Sequence, residues 1–250
     1  MKIIHPQQPS LYQGRILGWY SHGVTSAVMS KLLVQQYPDC EIVNCSSTMK
    51  DEHPDNERFI TDVERWLDKP IKRLYSDKYI DIYDVFIRTG WLVGNAGARC
   101  TNELKRNVRE SYQQPGDIHC FGFTVDEMAR VERFKHNSPE LYMMFPLVDA
   151  GMTKQDCINM ILQVGIELPV MYRMGYKNNN CIGCVKGGKG YWNKIRIDFP
   201  EHFDRMAKLE RKMNARIFND VYLDELPPNV GRYEQEFDME CGVTCAGTRE

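Results

Sequence analysis

The sequence lacks any hydrophobic run of the roughly 18 to 20 residues that a membrane-spanning helix requires. It also lacks a large excess of charge of either sign, because 32 Lys and Arg residues stand against 34 Asp and Glu residues. That balance argues against a uniformly basic surface that coats nucleic acid, although it leaves room for a local basic patch. The N-terminal MKIIHPQQPS has too short an apolar core for a signal peptide. We therefore expect a cytoplasmic protein with no membrane partner.

Cysteine, by contrast, is plentiful: the sequence has nine. In a reducing compartment structural disulfides are rare, so clustered cysteines indicate metal or redox chemistry. An odd number also fits a complete disulfide framework poorly. The alternative is that some of these cysteines are small core residues, since reduced cysteine is among the most buried residue types.

Apolar runs typical of strands alternate with amphipathic runs typical of helices over residues 14–165. The predicted strands are 14–20, 40–46, 71–76, 117–123 and 141–148, and the predicted helices are 25–37, 55–68, 100–112, 124–134 and 153–165. Residues 77–97 give no clear prediction. The alternation indicates βαβ units, and hence an α/β fold with a doubly wound, mostly parallel sheet and helices on both faces.

After residue 168 the pattern changes, so we predict a nucleotide-binding domain over 1–168 and an extension over 169–250 that packs on it. The extension holds a Cys-x-x-Cys segment, a helix at 200–218 and a polar tail. We expect the apolar face of that helix to lie in the core, and a homodimer interface is the alternative.

A polar loop that contains a glycine, WYSHGVTSAV (19–28), joins the first predicted strand to its helix. In a doubly wound sheet, ligands bind at the carboxyl ends of the strands. Gly23 permits the close approach of a phosphate oxygen, and the helix N-terminus supplies N–H groups. Further hydroxyl groups come from Ser21, Thr25 and Ser26. The alternative is a polar turn in which a hydroxyl only caps the helix.

This loop resembles the PP-loop of the N-type ATP pyrophosphatases and of the phosphoadenosine phosphosulfate (PAPS) reductases, usually written Ser-Gly-Gly-x-Asp-Ser. Ser21, Gly23 and Ser26 match the pattern, whereas His22 replaces a glycine and Thr25 replaces the aspartate. The resemblance implies a HUP, Rossmann-like fold that binds an adenine nucleotide: PAPS, adenosine phosphosulfate (APS), or ATP with magnesium. Because the aspartate is missing, ATP with magnesium is less well supported as the ligand, and a sulfonucleotide is slightly favoured over it.

The segment NNNCIGCVKGGKGYW places Cys181 and Cys184 in a Cys-x-x-Cys turn, which lets two thiolates converge on one metal. We expect the backbone N–H groups of the turn to bond to sulfur, and Lys186 and Lys189 to favour the thiolate form. Cys100 is a third candidate ligand, because it opens a predicted helix whose dipole lowers the pKa of a thiol. On the residues alone, a zinc site or reduced structural thiols are at least as well supported as an iron–sulfur cluster.

The cysteine pattern resembles the same superfamily. Reductases of the APS type carry a Cys-Cys pair and a distant Cys-x-x-Cys that bind a [4Fe–4S] cluster, but here Arg99 stands where the paired cysteine would be. A set of three cysteines instead resembles the ligand set of PP-loop enzymes that thiolate tRNA. In those enzymes the cluster is open, because one iron lacks a protein ligand. The resemblance therefore implies a [4Fe–4S] cluster, and a fourth ligand from Cys120 or from the tail is left open.

Other segments match the superfamily in order along the chain. GFTVDEMAR resembles a Gly-Phe/Ile-x-x-x-Glu-x-x-Arg segment, which implies that Glu127 and Arg130 lie near the nucleotide; a surface ion pair is the alternative. Lys105 and Arg99 are further candidate anion contacts, and a solvated helix side chain is the alternative for each.

The C-terminal MECGVTCAG resembles the Glu-Cys-Gly-Leu/Ile-His tail of PAPS and APS reductases, although it lacks the histidine. The resemblance implies that Cys241 attacks the sulfonucleotide sulfur, and the added Cys245 is suited to free the product. The alternatives are a tail with incidental cysteines, or Cys241 as a cluster ligand.

Three hypotheses about function follow. The leading one is an oxidoreductase similar to PAPS reductase, which releases sulfite and an adenosine phosphate and is regenerated by a thioredoxin-like reductant. The alternative is a sulfurtransferase of the ATP pyrophosphatase type, which adenylates a nucleic-acid or small-molecule acceptor and inserts sulfur with the help of an iron–sulfur cluster. The third is a nucleotide-binding or metal-stapled module without catalytic activity.

Overall fold

Short parallel strands form the central sheet in a computed structural model that describes residues 14–94 and 97–236. In chain order the strands are β1 (Ile16–Trp19), β2 (Ile42–Ser47), β3 (Ile71–Leu74), β4 (Val93–Gly94), β5 (Gly97–Ala98), β6 (Ile118–Phe121) and β7 (Tyr142–Met144). Five of them pair in the order β3-β2-β1-β6-β7, all parallel, while β4 and β5 form a separate antiparallel pair. The chain winds outward from β1 to β3 and then returns to the other side of β1, so the strand order reverses beside β1.

Helices connect the strands and lie on both sides of the sheet. In chain order they are α1 (Val24–Gln36), α2 (Asn56–Leu67), α3 (Ile82–Thr89), α4 (Arg99–Thr101), α5 (Asn107–Tyr112), α6 (Met128–Asn137), α7 (Pro146–Asp149), α8 (Lys154–Gln163), α9 (Val170–Arg173), α10 (Lys189–Asp198) and α11 (Pro200–Met213). A π-helical segment, Asn102–Arg106, lies between α4 and α5. The predicted α/β fold with a doubly wound parallel sheet is confirmed. None of the helices in the described ranges has the length and apolarity needed to cross a bilayer.

The core explains why β1 reads as an unbroken apolar run rather than an alternating one. All four of its residues are buried, because a parallel sheet is covered on both faces. Val28 and Leu33 of α1 and Phe59 of α2 belong to the same fully buried cluster. Each such side chain contributes roughly 1.5 to 3 kcal/mol when it leaves water.

The chain divides into two units that interleave along the sequence. Within the described residues, unit 1 comprises 14–48, 54–75 and 108–179 and contains the five-stranded sheet. Unit 2 comprises 49–53, 76–94, 97–107 and 180–236 and contains α3, the β4–β5 pair, α10, α11 and the Cys-x-x-Cys segment. The two contiguous domains expected at 1–168 and 169–250 stay a prediction.

Two predicted elements differ from the structure, and one region without a prediction contains a helix. The strand expected over 141–148 ends at Met144, because Pro146 begins α7, where its missing N–H costs nothing. The helix expected over 200–218 ends at Met213, because Asn214 takes the left-handed conformation with φ 49°. Residues 77–97, which gave no prediction, contain α3. The carboxylate of Asp81 caps this helix by accepting a hydrogen bond from the Asp84 N–H.

Candidate functional site

In the loop between β1 and α1, a histidine occupies a backbone position that favours glycine. His22 takes a left-handed backbone conformation with φ 60°, which glycine adopts without strain. Its imidazole is buried, lies edge-on to the Tyr20 ring at 5.2 Å, and places Nε2 3.4 Å from the hydroxyl of Ser46. These contacts hold the histidine side chain within unit 1 and stabilise a turn that a glycine would otherwise be needed to form.

Ser26 fixes the shape of the loop from within. Its buried hydroxyl accepts a hydrogen bond from the Ser21 N–H at 3.0 Å and donates one to the Gly23 carbonyl at 2.9 Å. The Ser21 hydroxyl lies 3.2 Å from the hydroxyl oxygen of Ser26. The sequence predicted that Ser26 contacts the anion. In the structure its hydroxyl group forms hydrogen bonds with other residues of the loop. A direct contact between Ser26 and an anion stays a prediction.

The N-terminus of α1 has the properties of an anion site. In the described residues no side chain caps this 13-residue helix, and its first turn has no acidic residue. Thr25 lies half-buried in that turn, Gly23 precedes it in an extended conformation, and Ser21 is exposed. The first N–H groups and the positive end of the helix dipole are therefore not compensated by a carboxylate, which favours a bound anion.

A second strand-to-helix connection, between β2 and α2, is held by ion pairs. The carboxylate of Asp55 accepts two hydrogen bonds from Arg58, at 2.7 and 2.9 Å, and one from the Val170 N–H at 2.8 Å. The Arg58 guanidinium therefore holds the pKa of Asp55 below its usual range. Asp55 occupies the N-cap position of α2 but makes no side-chain capping hydrogen bond.

Asn179 connects these two loops within unit 1. Its side-chain amide donates to the His22 carbonyl at 2.8 Å and to the Asn56 side-chain oxygen at 2.7 Å. This buried bridge fixes the first loop to the start of α2. Sequence reasoning missed Asn179, since a polar Asn run carries no pattern that separates a structural asparagine from its neighbours.

The predicted contacts Glu127 and Arg130 pair with each other in the structure. Glu127 also accepts the Thr124 N–H at 3.1 Å in a capping box. The Arg130 guanidinium lies 5.0 Å from the centre of the Phe123 ring. The ion pair that was the alternative is therefore present, and a role beside a nucleotide stays a prediction.

The two predicted basic contacts in unit 2 both have carboxylate partners. Lys105 is buried, with its ammonium group 3.4 Å from a carboxylate oxygen of Glu52. The alternative for Lys105, a solvated helix lysine, is therefore wrong. Arg99 is 46% exposed on its side chain and pairs with Glu103 at 2.6 Å. Anion binding by either residue stays a prediction.

Three cysteines from two distant chain segments line one small cavity in unit 2, which we call the cysteine cavity. Its lining comprises Met49, Ile82, Phe86, Ala98, Cys100, Thr101, Cys181, Cys184, Val185 and Lys186. The free volume is about 10 Å³, which is the space of about one water molecule. The structure thus brings together the three cysteines that the sequence indicated as ligands.

The Cys-x-x-Cys turn is held by the hydroxyl of Tyr191. This hydroxyl donates to the Cys181 carbonyl at 3.1 Å and accepts the N–H groups of Gly183 and Cys184 at 3.1 and 3.0 Å. The Ile182 N–H donates to the main-chain oxygen of Asp51. The expectation that these N–H groups bond to sulfur is therefore wrong. Gly183 has φ 76°, a conformation that favours glycine.

The donor set of the cysteine cavity is compatible in chemistry with the thiolate ligation of an iron–sulfur cluster. In the part of the chain that the structure describes, no three His, Cys, Asp or Glu side chains are arranged to hold one metal ion. A single zinc would need its sulfurs about 2.3 Å from a common centre. A [4Fe–4S] cluster binds each thiolate on a different iron and so accepts ligands that lie further apart. Three soft thiolates around one cavity fit that chemistry, and the cavity walls must move outward to admit it.

The remaining cysteines have other positions. The seven that lie in the described residues form no disulfide. Cys120 lies in β6 in the apolar core of unit 1, where burial raises the pKa of its thiol, so its suggested role as a fourth ligand is not supported. Cys241 and Cys245, the predicted nucleophile and resolving residue, lie outside the described residues. Lys189, expected to favour thiolates, pairs with Asp220 at 2.5 Å.

Unit 2 also contains an open pocket that sequence reasoning missed, which we call the Trp91 pocket. It has a volume of about 470 Å³ and is lined by Thr89, Trp91, Gly97, Arg99 and Asn102. No periodic pattern marked this region, because its elements are short and the pocket forms only where α3, β5 and α4 meet.

The fold defines a class: an α/β protein with a doubly wound parallel sheet, in which a polar loop joins β1 to a helix whose first turn has no acidic residue. A scan against protein-family models gives no match, and a search of curated proteins gives none. Among solved structures, the chain is similar to the U34-tRNA thiolase NcsA from Methanococcus maripaludis with its [4Fe-4S] cluster. The TM-score is 0.44 at 10% identity, over 81% of this chain and 72% of that chain. The fold assignment rests on strand order and pairing, not on this likeness.

Proposed function

We propose that this chain is an ATP-dependent enzyme that inserts sulfur into an acceptor. In this proposal the loop of residues 21–26 binds the nucleotide phosphates, and the three cysteines of the cysteine cavity hold a [4Fe–4S] cluster. The observation that carries the proposal is the presence of Cys100, Cys181 and Cys184 in the lining of one cavity.

The composition of that lining favours sulfur insertion over sulfonucleotide reduction. Among the described residues that line the cysteine cavity, the only thiol, imidazole or carboxylate groups are the three cysteines. A cluster held by three protein ligands keeps one iron without a protein ligand. When bound, it would supply a place for sulfide beside the protein.

The first loop would stabilise the charge of the phosphates. The N–H groups at the start of α1 have no acidic or capping side chain in the described residues, so they suit the anionic pyrophosphate of ATP. The acceptor oxygen attacks the α-phosphorus, the bond to pyrophosphate breaks, and pyrophosphate leaves. Sulfide, as co-substrate, then forms a carbon–sulfur bond and displaces AMP from the activated carbon.

Thr25, which stands in the position of the usual aspartate, is compatible with this chemistry. Magnesium keeps several water ligands and commonly binds through the substrate's own phosphates with only one or two protein carboxylates. A hydroxyl at this position can bond to a phosphate or to a metal-bound water. The loss of one carboxylate therefore lowers the expected affinity for magnesium without removing the site.

A second candidate, reduction of PAPS or APS, is supported by the sequence of the tail. Glu240-Cys241-Gly242 provides a cysteine suited to attack sulfur, and these residues lie outside the described part of the chain. In that reaction the Cys241 thiolate forms a bond to the sulfonate sulfur, and the adenosine phosphate leaves. A thioredoxin-like dithiol then reduces the S-sulfocysteine and releases sulfite.

Metal analysis of cysteine variants tests the proposed ligands. The chain is reconstituted anaerobically with iron and sulfide, and iron, sulfide and zinc are measured together with the visible spectrum. We expect about four irons per chain in the wild type, and loss of iron in Cys100→Ser and Cys184→Ser. Cys40→Ser, a half-buried cysteine of unit 1, is the matched control and should keep its iron. Zinc without iron, or full iron content in both ligand variants, would contradict the proposal.

Turnover separates the two candidate reactions. Pyrophosphate release from ATP that requires an acceptor supports sulfur insertion, and we expect it to survive in Cys241→Ala. Sulfite release from PAPS or APS with reduced thioredoxin, lost in Cys241→Ala, would establish the second candidate instead. Neither product from a chain with an intact cluster would leave the non-catalytic module as the remaining hypothesis.

A further inference from the structure

The Trp91 pocket presents an exposed aromatic ring in a fixed position. Of the four tryptophans, all of which lie in the described residues, Trp91 alone is exposed, at 48%. Its ring lies over Gly94: a Cβ atom on that glycine would be 2.6 Å from the ring carbon Cζ2. The absence of a side chain at Gly94 therefore lets the indole lie against the backbone of β4.

Polar groups on the neighbouring elements surround this ring. Arg99 offers a guanidinium that is half exposed even though one of its nitrogens pairs with Glu103. Asn102 contributes an amide from the next turn of the same helical segment. The hydroxyl of Thr89 donates to the Val85 carbonyl at 2.7 Å, so its oxygen can still accept a hydrogen bond.

These groups match the chemistry of one nucleotide. The π-face of an indole stacks on any base, and a guanidinium pairs with a phosphate in a bidentate fashion. Amide and hydroxyl groups suit the polar edge of a base. A volume of about 470 Å³ falls within the range of small-molecule sites and cannot admit a duplex. A single aromatic platform of this size is suited to an unpaired base, whose face is open to stacking.

We propose that the Trp91 pocket is a nucleotide-binding site, in which the base stacks on Trp91 and a phosphate contacts Arg99. This goes beyond the proposed function, because none of the pocket's residues belongs to the loop of residues 21–26 or to the three cysteines. The bound nucleotide comes either from a free mononucleotide or from an unpaired position of a single-stranded nucleic acid. Both sources share the base and the phosphate that the pocket recognises.

Two binding titrations distinguish these sources and test the site. AMP and UMP are titrated by calorimetry, and labelled single strands of adenosine or uridine of about eight nucleotides by fluorescence anisotropy. ATP, iron and sulfide are omitted, so the result does not depend on sulfur transfer. Saturable binding of the mononucleotides assigns a free nucleotide, and binding of the strands alone assigns an unpaired nucleic-acid position. A duplex of the same length should bind at least tenfold more weakly than the strand.

Substitutions place the binding in the pocket. Trp91→Ala should weaken binding about 5- to 150-fold, the range that loss of one stacked base gives, whereas Trp91→Phe should stay within a few fold. Arg99→Gln should weaken binding and reduce its dependence on salt. Tyr75→Ala removes an exposed aromatic ring from unit 1 and is the matched control. Thermal unfolding checks that each variant is folded.

The proposal is overturned by any of three results. The first is the absence of saturable binding with both kinds of probe. The second is equal affinity of the wild type and a folded Trp91→Ala variant. The third is an equal loss in Tyr75→Ala, which would show that binding does not depend on this pocket. If Trp91→Ala does not fold, the comparison of Trp91→Phe with Trp91→Leu decides, because only the aromatic ring should keep the affinity.

Discussion

The hydroxyl of Tyr191 donates a hydrogen bond to the carbonyl oxygen of Cys181 across 3.1 Å. The same oxygen accepts the N–H groups of Gly183 and Cys184, so one buried side chain closes the whole Cys-x-x-Cys turn. Because the turn is fixed from its backbone side, the two thiols do not need to bond to their own loop in order to be held in place.

Removing this hydroxyl should loosen the cysteine turn. Tyr191→Phe leaves two buried N–H groups without their partner, so we expect a loss of about 1 to 3 kcal/mol in the free energy of unfolding. We also expect faster reaction of Cys181 and Cys184 with a thiol reagent. Urea unfolding and thiol titration measure the two effects. Tyr222→Phe removes an exposed hydroxyl that bonds to Asn214 and should change neither by a comparable amount.

Ser26 should stabilise the first loop from within. Ser26→Ala removes the acceptor of the Ser21 N–H and the donor to the Gly23 carbonyl. The expected loss is about 1 to 2 kcal/mol in the free energy of unfolding, with weaker ATP binding if the loop holds the nucleotide. Urea unfolding and equilibrium binding are the measurements. Ser21→Ala, at an exposed position, is the comparison, and an unchanged unfolding midpoint in Ser26→Ala would refute the role we give to its hydroxyl.

Glu236 caps a helix far from it in sequence. Its carboxylate accepts the Gly190 N–H at 2.6 Å and the Tyr191 N–H at 3.2 Å, at the start of α10, where Gly188 provides no side chain. Glu236→Gln removes the charge from this cap and should cost about 0.5 to 2 kcal/mol. Denaturant unfolding at low and at high salt measures the loss, which should shrink as salt rises. Glu234→Gln, an exposed neighbour, should be neutral.

Asp51 should make stability fall as the pH rises. The pKa of its carboxyl group is raised to about 6, chiefly by burial; Asp81 and Glu52 contribute to the rise, while the Ile82 N–H and Arg205 oppose it. The folded state therefore binds the proton more tightly than the unfolded state, whose pKa is near 3.8. This contribution is fully present below that lower value and is lost as the pH rises through about 6.

Asp51→Asn isolates that effect. The amide oxygen can still accept the Ile82 N–H, so the variant should gain thermal stability over the wild type progressively from pH 4 to pH 7. Burial lowers the pKa of His119 to about 4, which acts with the opposite sign but equally in both proteins, so it cancels in the difference. Thermal unfolding at a series of pH values is the measurement. Asp77→Asn, at an exposed position, should give a constant difference.

The sequence by itself determined most of the local elements of the fold. The apolar run of β1, the start of α1 and the turn at Gly183 depend on side-chain periodicity and backbone freedom over a few residues, and a single sequence records both. For the same reason the alternation of strands and helices was enough to predict the parallel sheet. The interior of α10 was missed, because its Gly- and Lys-rich start has the composition of a loop and its cap comes from Glu236.

Only the tertiary structure decided which distant residues meet and which polar groups are already satisfied. Cys181 and Cys184 line the same cavity as Cys100 because the chain returns to unit 2 after the last strand of the sheet. Lys105 was predicted to contact an anion, with a solvated lysine as the alternative, but it is buried against Glu52, a partner that no local pattern records. Periodicity is a property of neighbours along the chain, whereas burial and pairing depend on contacts between segments far apart in sequence, and those contacts exist only in the folded molecule.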